Sequence, residues 1–288
     1  MAAVAIVTDS THYMPRELLE ANDVHQVSLY FNWGEGPVRE SDMSNFDDFY
    51  ARLRRGPDMP TTSQPSIGDF LAVYEPLIAE GRDIVSIHLS GGISGTFGAA
   101  SQAAQLIEER GTVDRIAVLD GETACGGLGA LVLAAAASAR AGAGRDEVLQ
   151  RAREARSLLE IWFCVDTLEF LQRGGRIGRA QAWLGGALKV KPILSLGAEI
   201  TPVERVRTAA RAFERMVEYM GSRKRDGADA WIVQHIQAPD QAERLLERGR
   251  EMFGSEPLFV SEVGPVIGAY TGPGLIGVGG IPRRLLAA

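Results

Sequence analysis

Three short stretches place hydroxyl side chains where an apolar strand pattern gives way to a helix pattern. They are "TDST" (8–11), "PTTSQPS" (60–66) and "SGGISGT" (90–96). A helix start leaves backbone N–H groups unpaired and carries partial positive charge, so a turn of this kind suits an anion. Serine and threonine also cap helices with no ligand at all. Beyond capping, three chemistries fit such loops: binding a phosphate, using a reactive serine, or holding a carboxylate.

Phosphate binding by a P-loop needs G-x-x-x-x-G-K-[ST], whose lysine neutralises the phosphates. The chain has only three lysines, Lys189, Lys191 and Lys224, and none lies in these loops. No G-x-G-x-x-G follows the first strand either. A hydrolase elbow needs G-x-S-x-G, and Gly92-Ile93-Ser94-Gly95-Thr96 lacks its last glycine. His88 and His235 are the available bases, yet nothing in the sequence links them to Ser94. His88 lies inside a strand pattern and reads better as a core histidine bonded to backbone. A carboxylate asks for less: two or three neutral donors and no metal. The hydroxyls of Thr62 and Ser94 supply such donors, each contributing about 1.5–3 kcal/mol toward a charged acceptor.

These loops need elements to hold them. "VAIVTD", "DIVSIHL" and "DRIAVLD" read as buried strands, and "VHQVSLYF" (24–31) as one further strand. Helical segments lie between them, with "NWGEGPVRES" as a small hairpin and "GPDMPTTSQPS" as a loop. Strands alternating with helices at this spacing indicate βαβ units and a parallel sheet. After a charged helix at 145–159 the pattern changes. It yields a helix-like "RAQAWLGGALK", a strand at "VKPILSL", a short hairpin at "GAEITPVERVRT", further strands at "ADAWIVQHI" and "PLFVSEV", and a glycine-rich tail "GPVIGAYTGPGLIGVGG". The expected architecture is α/β in two domains, 1–155 and 156–288.

Composition narrows the function. Of 288 residues, 45% are hydrophobic and 23% charged, as in a soluble globular protein. A net charge of −7 offers no electrostatic basis for binding nucleic acid. Cys125 and Cys164 form no CxxC and no metal-ligand spacing, which points to a reducing, cytoplasmic setting. No metal is expected. "MAAVAIVTDS" reads as a first strand and not as a signal peptide. "GALVLAAAASA" is too short and alanine-rich for a membrane span and reads as a buried helix.

Six motifs together resemble one family. "TDST", "PTTSQPS", "SGGISGTFGAA", "FLQRGGRIGRA", "LKVKPILSL" and "GPVIGAYTGPG" occur in the order seen in DegV-family proteins, which include the fatty-acid-binding FakB subunits of bacterial fatty acid kinase. The resemblance runs from near residue 4 to near residue 280. It implies a Rossmann-like parallel sheet in the N-terminal domain and a mixed sheet with helices in the C-terminal one. It further implies a long-chain fatty acid in an apolar tunnel, its carboxylate bonded by Thr62 and Ser94, with Ser63, Thr96 and Tyr270 completing the ligand-binding set. No other cofactor is implied. The implied partner is a separate, dihydroxyacetone-kinase-like subunit that converts the carboxylate to an acyl-phosphate. The chain itself is then a monomeric binding subunit that touches membranes transiently, not an enzyme. Arg176 and Arg207 match arginines implied to contact the partner or the transferred phosphate, with Arg205 adjacent in the same alternation.

Two departures from the family pattern stand out. Tyr270 replaces a histidine usual in the tail, and Gly91 replaces a common serine. Tyrosine donates a hydrogen bond but carries no positive charge near neutral pH. The departure at Tyr270 bears on phosphotransfer more than on lipid binding. "AWLGGAL" (182–188) and "VGPVIGAYTG" (263–272) suit either tunnel walls or ordinary core. Two rival functions stay open: an acyl hydrolase or transferase using Ser94, and a carrier of another hydrophobic carboxylate with no kinase partner.

Overall fold

A computed structural model describes residues 3–56, 58–111, 114–184 and 190–287. The first sheet contains β1 (Val4–Asp9), β2 (Val24–Val27), β6 (Asp83–His88) and β7 (Ile116–Asp120), in the order β2-β1-β6-β7. All its pairings are parallel. Every residue of β1 is buried, as its unbroken apolar run requires when helices cover both faces. On one face lie α3 (Ile67–Ala79) and α4 (Thr96–Glu109), packing Phe70, Tyr74, Ala99 and Ala103 against Val7 and Ile84. On the other lie α5 (Cys125–Arg140) and α6 (Arg145–Leu158).

Two expectations near the first sheet need correcting. The run 24–31 is not one strand. Val24–Val27 pairs with β1, whereas β3 (Tyr30–Asn32) pairs antiparallel with β4 (Val38–Arg39) and β5 (Thr61–Ser63) in a small separate sheet. The switch falls at Ser28 and Leu29. There the Leu29 N–H donates to Ser10 Oγ at 3.1 Å, and the Leu29 carbonyl accepts from the Glu40 N–H at 3.1 Å. Those bonds draw the backbone out of the first ladder. The second correction is "PTTSQPS", which is not wholly a loop, since residues 61–63 form β5. Its register sets Thr62 opposite Phe31.

The second sheet has six strands. They are β8 (Glu160–Cys164), β9 (Lys191–Leu196), β10 (Ile200–Val206), β11 (Ala230–His235), β12 (Phe259–Glu262) and β13 (Ile276–Ile281). The order is β10-β9-β8-β13-β11-β12, parallel only between β11 and β12. The expected boundary at 155–156 lies in the last turn of α6, just before β8. The outer face is covered by α8 (Ala209–Arg225) and α9 (Pro239–Phe253). The expected helix-like "RAQAWLGGALK" is a 3-10 helix over Gly178–Trp183, and residues 185–189 lie outside those described. α7 (Glu169–Arg173) follows β8, and α1 (Arg16–Ala21), α2 (Asp47–Arg55) and α10 (Pro265–Thr271) complete the α-helices among the described residues.

α5 joins the two halves. Its cluster includes Ile6, Val85 and Ile87 of the first sheet and Ile161, Ile232 and Phe259 of the second. A helix buried on all sides must be apolar all round, and one squeezed between two sheets must be thin. A Cβ at Gly129 would sit 2.8 Å from the Phe259 ring, and one at Gly127 would sit 3.1 Å from Ile161 Cγ1. The alanine-rich stretch is therefore a buried helix, as expected. No helix among the described residues is long and apolar enough to cross a membrane.

Candidate functional site: a cavity between the sheets

Between the two sheets lies a cavity of about 330 Å³. One side is formed by the loops at 62–64 and 93–95 and the start of α5, the other by β8, β11, β13 and α10. Thr62, Ser63, Ser94, Arg176 and Tyr270 all line it.

At its mouth the polar groups engage one another. Thr62 Oγ1 and Tyr270 OH are 2.5 Å apart. The Tyr270 ring lies on the backbone of Gly174, where an added Cβ would be 2.1 Å from it. The Arg176 guanidinium sits 4.8 Å above the same ring. Arg176 also donates to the carbonyls of Gly174 at 2.9 Å and Ile93 at 3.4 Å. Gly174 of "RGGR" thus makes room for Tyr270, and Arg176 spans two loops.

The loop at 90–96 is held just as closely. A Cβ at Gly95 would be 2.0 Å from Gln64 Oε1, and one at Gly92 would be 2.1 Å from the Ala198 carbonyl. Ser90 Oγ donates to that carbonyl at 2.7 Å. Ser94 Oγ lies 2.9 Å from Thr96 Oγ1 and accepts from the Thr96 N–H at 3.3 Å. Thr96 is buried at the start of α4 and stands behind Ser94, off the cavity wall. Ser63 is exposed at the rim. Arg207 is exposed beyond the end of β10 and does not line the cavity. Its neighbour Arg205 stacks on Trp183, 5.2 Å from the ring centroid.

The third hydroxyl-rich loop, "TDST", has another job. Asp9 Oδ1 accepts from the Thr11 N–H at 3.0 Å and the Thr11 hydroxyl at 2.6 Å. Asp9 Oδ2 accepts from the Leu89 N–H at 2.9 Å and faces His88 Nδ1 at 3.1 Å. Burial pushes the Asp9 carboxyl up, but His88, Thr11 and Leu89 outweigh it and hold it below the ordinary carboxylate value. His88 Nε2 contacts Ser86 Oγ at 2.7 Å, which accepts from Tyr74 at 2.7 Å. His88 is a core histidine, though its partners are side chains and not backbone. Its ring is committed to Asp9 and Ser86, while the Ser94 hydroxyl pairs with Thr96.

Several contributors carry no sequence signal. Glu40 is buried beneath the N-terminus of α10, accepting from the Val266 N–H at 2.7 Å, Ser10 Oγ at 2.8 Å and Tyr13 OH at 2.9 Å. Burial still raises its carboxyl to about 7 against those donors. Gln234 lines the cavity, its Oε1 accepting from the Gly126 N–H and its Nε2 donating to Ser261 Oγ at 2.9 Å. Cys125 also lines it, and burial pushes its thiol far up, which keeps it protonated and unreactive. The segment 263–272 supplies cavity wall through Val263, Val266, Ile267, Tyr270 and Thr271. Of 182–188, Trp183 and Leu184 pack on the adjoining core, and the rest of the wall expectation falls mainly on residues outside those described.

The site thus defines an α/β protein with a largely apolar cavity between two sheets, under a mouth of neutral hydroxyls and one arginine. The chain belongs to the DegV family, whose sequence model, described as "Uncharacterised protein, DegV family", matches residues 3–283. The DegV domain-containing protein SCO2569 of Streptomyces coelicolor is 42% identical over 279 residues, covering 96% of this chain and 97% of that protein. A DegV family protein from Thermus thermophilus, whose solved structure is described by its fatty acid binding, matches with a TM-score of 0.87 at 32% identity, covering 97% of this chain and 99% of that one. DegV of Bacillus subtilis, described as a fatty acid binding protein, matches with a TM-score of 0.86 at 34% identity, covering 98% and 100%.

Proposed function

We propose that this protein binds a long-chain fatty acid in the cavity between its sheets, with the carboxylate held by Thr62 and Ser94. The protein then presents that head group to a separate kinase subunit for conversion to an acyl-phosphate. The observation that carries this reading is the cavity itself, with apolar walls behind a mouth where Thr62, Ser94, Arg176 and Tyr270 meet. Each buried methylene contributes roughly 0.8 kcal/mol, so the walls supply affinity while the head stays near solvent. If the Tyr270 hydroxyl donates to Thr62 Oγ1, the Thr62 proton is free to point at a carboxylate oxygen. Ser94 is braced by Thr96 in the same way.

The kinase step rests on the family resemblance and on Arg176. That side chain is exposed at the mouth, where its charge is placed to meet a partner or a phosphoryl group. We assign Arg207 no part in the head-group site. In this reading the protein is a cytoplasmic binding subunit and not an enzyme.

Mass spectrometry of the purified protein, native and after solvent extraction, tests the reading. A near-stoichiometric, non-covalently held fatty acid is expected. Protein that holds none, even after incubation with a panel of fatty acids, overturns it.

A further inference from the structure

The central strand of the second sheet carries a furrow along its cavity face. Across β8, β13 and β11 the register aligns Phe163, Gly277 and Gln234 in one row, and Ile161, Gly279 and Ile232 in the next. Directly paired residues share a face, so in both rows large side chains flank a position with none. The intervening residues Ile276 and Val278 point the other way, into the cluster under α8 and α9. Neighbouring strands lie about 4.8 Å apart. The flanking side chains therefore stand two spacings apart, leaving a channel one strand wide. That width admits a single polymethylene chain.

The two glycines are not equivalent. A Cβ at Gly277 would meet only ordinary contacts, the nearest being Phe163 Cβ at 3.6 Å. A Cβ at Gly279 would be 2.1 Å from Ile161 Cδ1, because the Ile161 side chain leans across that position. The furrow is therefore open over Gly277 and shut over Gly279. Ile281, the next residue on that face, is fully buried. Both glycines and Ile161 line the cavity. Gln234, beside the furrow, has its amide oxygen and nitrogen committed to Gly126 and Ser261, so it offers little to a polar ligand group.

We infer that Gly277 and Ile161 set the length of the acyl chain, Gly277 by leaving the furrow open and Ile161 by closing its end. This deepens the fatty-acid reading and rests on it. The ligand it selects is a straight chain whose terminal methyl abuts Ile161.

The test loads folded wild-type protein, Gly277→Val and Ile161→Ala with an equimolar series of straight-chain saturated fatty acids, from decanoic to icosanoic acid. Native mass spectrometry then reads the bound distribution. Gly277→Val is expected to favour shorter chains and Ile161→Ala longer ones. The ratio of adjacent even-chain members should shift about tenfold, as expected for two methylenes gained or lost from burial. The milder Gly277→Ala and Ile161→Val should shift it in the same directions by less, which keeps the test valid if a larger change impairs folding. Unchanged distributions in the folded variants overturn the length assignment alone. A wild-type protein that takes up no member of the series overturns the fatty-acid reading and the length assignment with it.

Discussion

At the mouth of the cavity, Thr62, Ser94, Tyr270 and Arg176 are all partly or largely exposed; Thr62 bonds to Tyr270, Ser94 to Thr96, and Arg176 to loop carbonyls. At the floor, Gly277 and Ile161 are buried, and the nearby polar side chain, Gln234, has its donors and acceptor committed to protein partners. The contrast follows from the cost of desolvation. Near water a hydroxyl can exchange a solvent bond for a ligand bond. In a dry cavity an unpaired polar atom costs about 1–3 kcal/mol. The mouth can therefore be chemically selective and the floor only geometrically so.

The largest effect should come from removing the chemical end. The double variant Thr62→Val, Ser94→Ala loses two donors to a charged acceptor, each contributing about 1.5–3 kcal/mol, so fatty-acid affinity should fall on the order of 10²–10⁴-fold. Isothermal titration, with circular dichroism to confirm folding, measures this. Unchanged affinity in the folded double variant would refute the head-group assignment.

Glu40 sharpens the comparison, because it holds the N-terminus of α10, a helix that lines the cavity and carries Tyr270 in its last turn. Its carboxyl is raised from 4.5 to about 7, so the folded chain holds that proton more tightly than the unfolded one. Its contribution to stability is full below pH 4.5 and is lost as pH rises to about 7. Glu40→Gln removes the titration. Over that window the variant should therefore gain on wild type by on the order of 3 kcal/mol. Urea unfolding across the range reads this, and a constant difference between the two proteins would show that Glu40 does not feel its burial in this way.

The smallest effect on binding is expected from Arg176→Ala. The cation–π contact with Tyr270 contributes about 0.5–1 kcal/mol at an exposed site. Lipid retention should then change no more than about fivefold, while turnover by the proposed kinase subunit drops further. Loss of lipid retention instead would make Arg176 part of the floor-and-mouth scaffold and not a partner contact.

Much of this was legible in one dimension. The parallel sheet followed from alternating apolar strands and amphipathic helices, and both patterns are local. Ser94 lies on a loop whose strand, turn and helix are contiguous in the chain. The "TDST" loop looked the same and proved to serve the core, because Asp9 meets His88 and Leu89 only after β1 and β6 pair. The run 24–31 looked continuous because nothing local marks the point where Ser10 takes the Leu29 N–H. Glu40 gave no signal, since a lone glutamate is usually on the surface.

The sequence by itself determined the fold class, the family and the loops that could hold an anion, because strand and helix periodicity, helix starts and ordered motifs are written over short stretches. The tertiary structure decided which of those loops share a cavity. It brought Thr62 to Tyr270 across 208 positions through the pairing of β5 with β3 and the docking of α10. It also turned a glycine-rich tail into the central strand of the second sheet, with the absent side chains of Gly277 and Gly279 facing inward. A missing side chain has no periodicity to read. It becomes a furrow only when the strands on either side supply its walls.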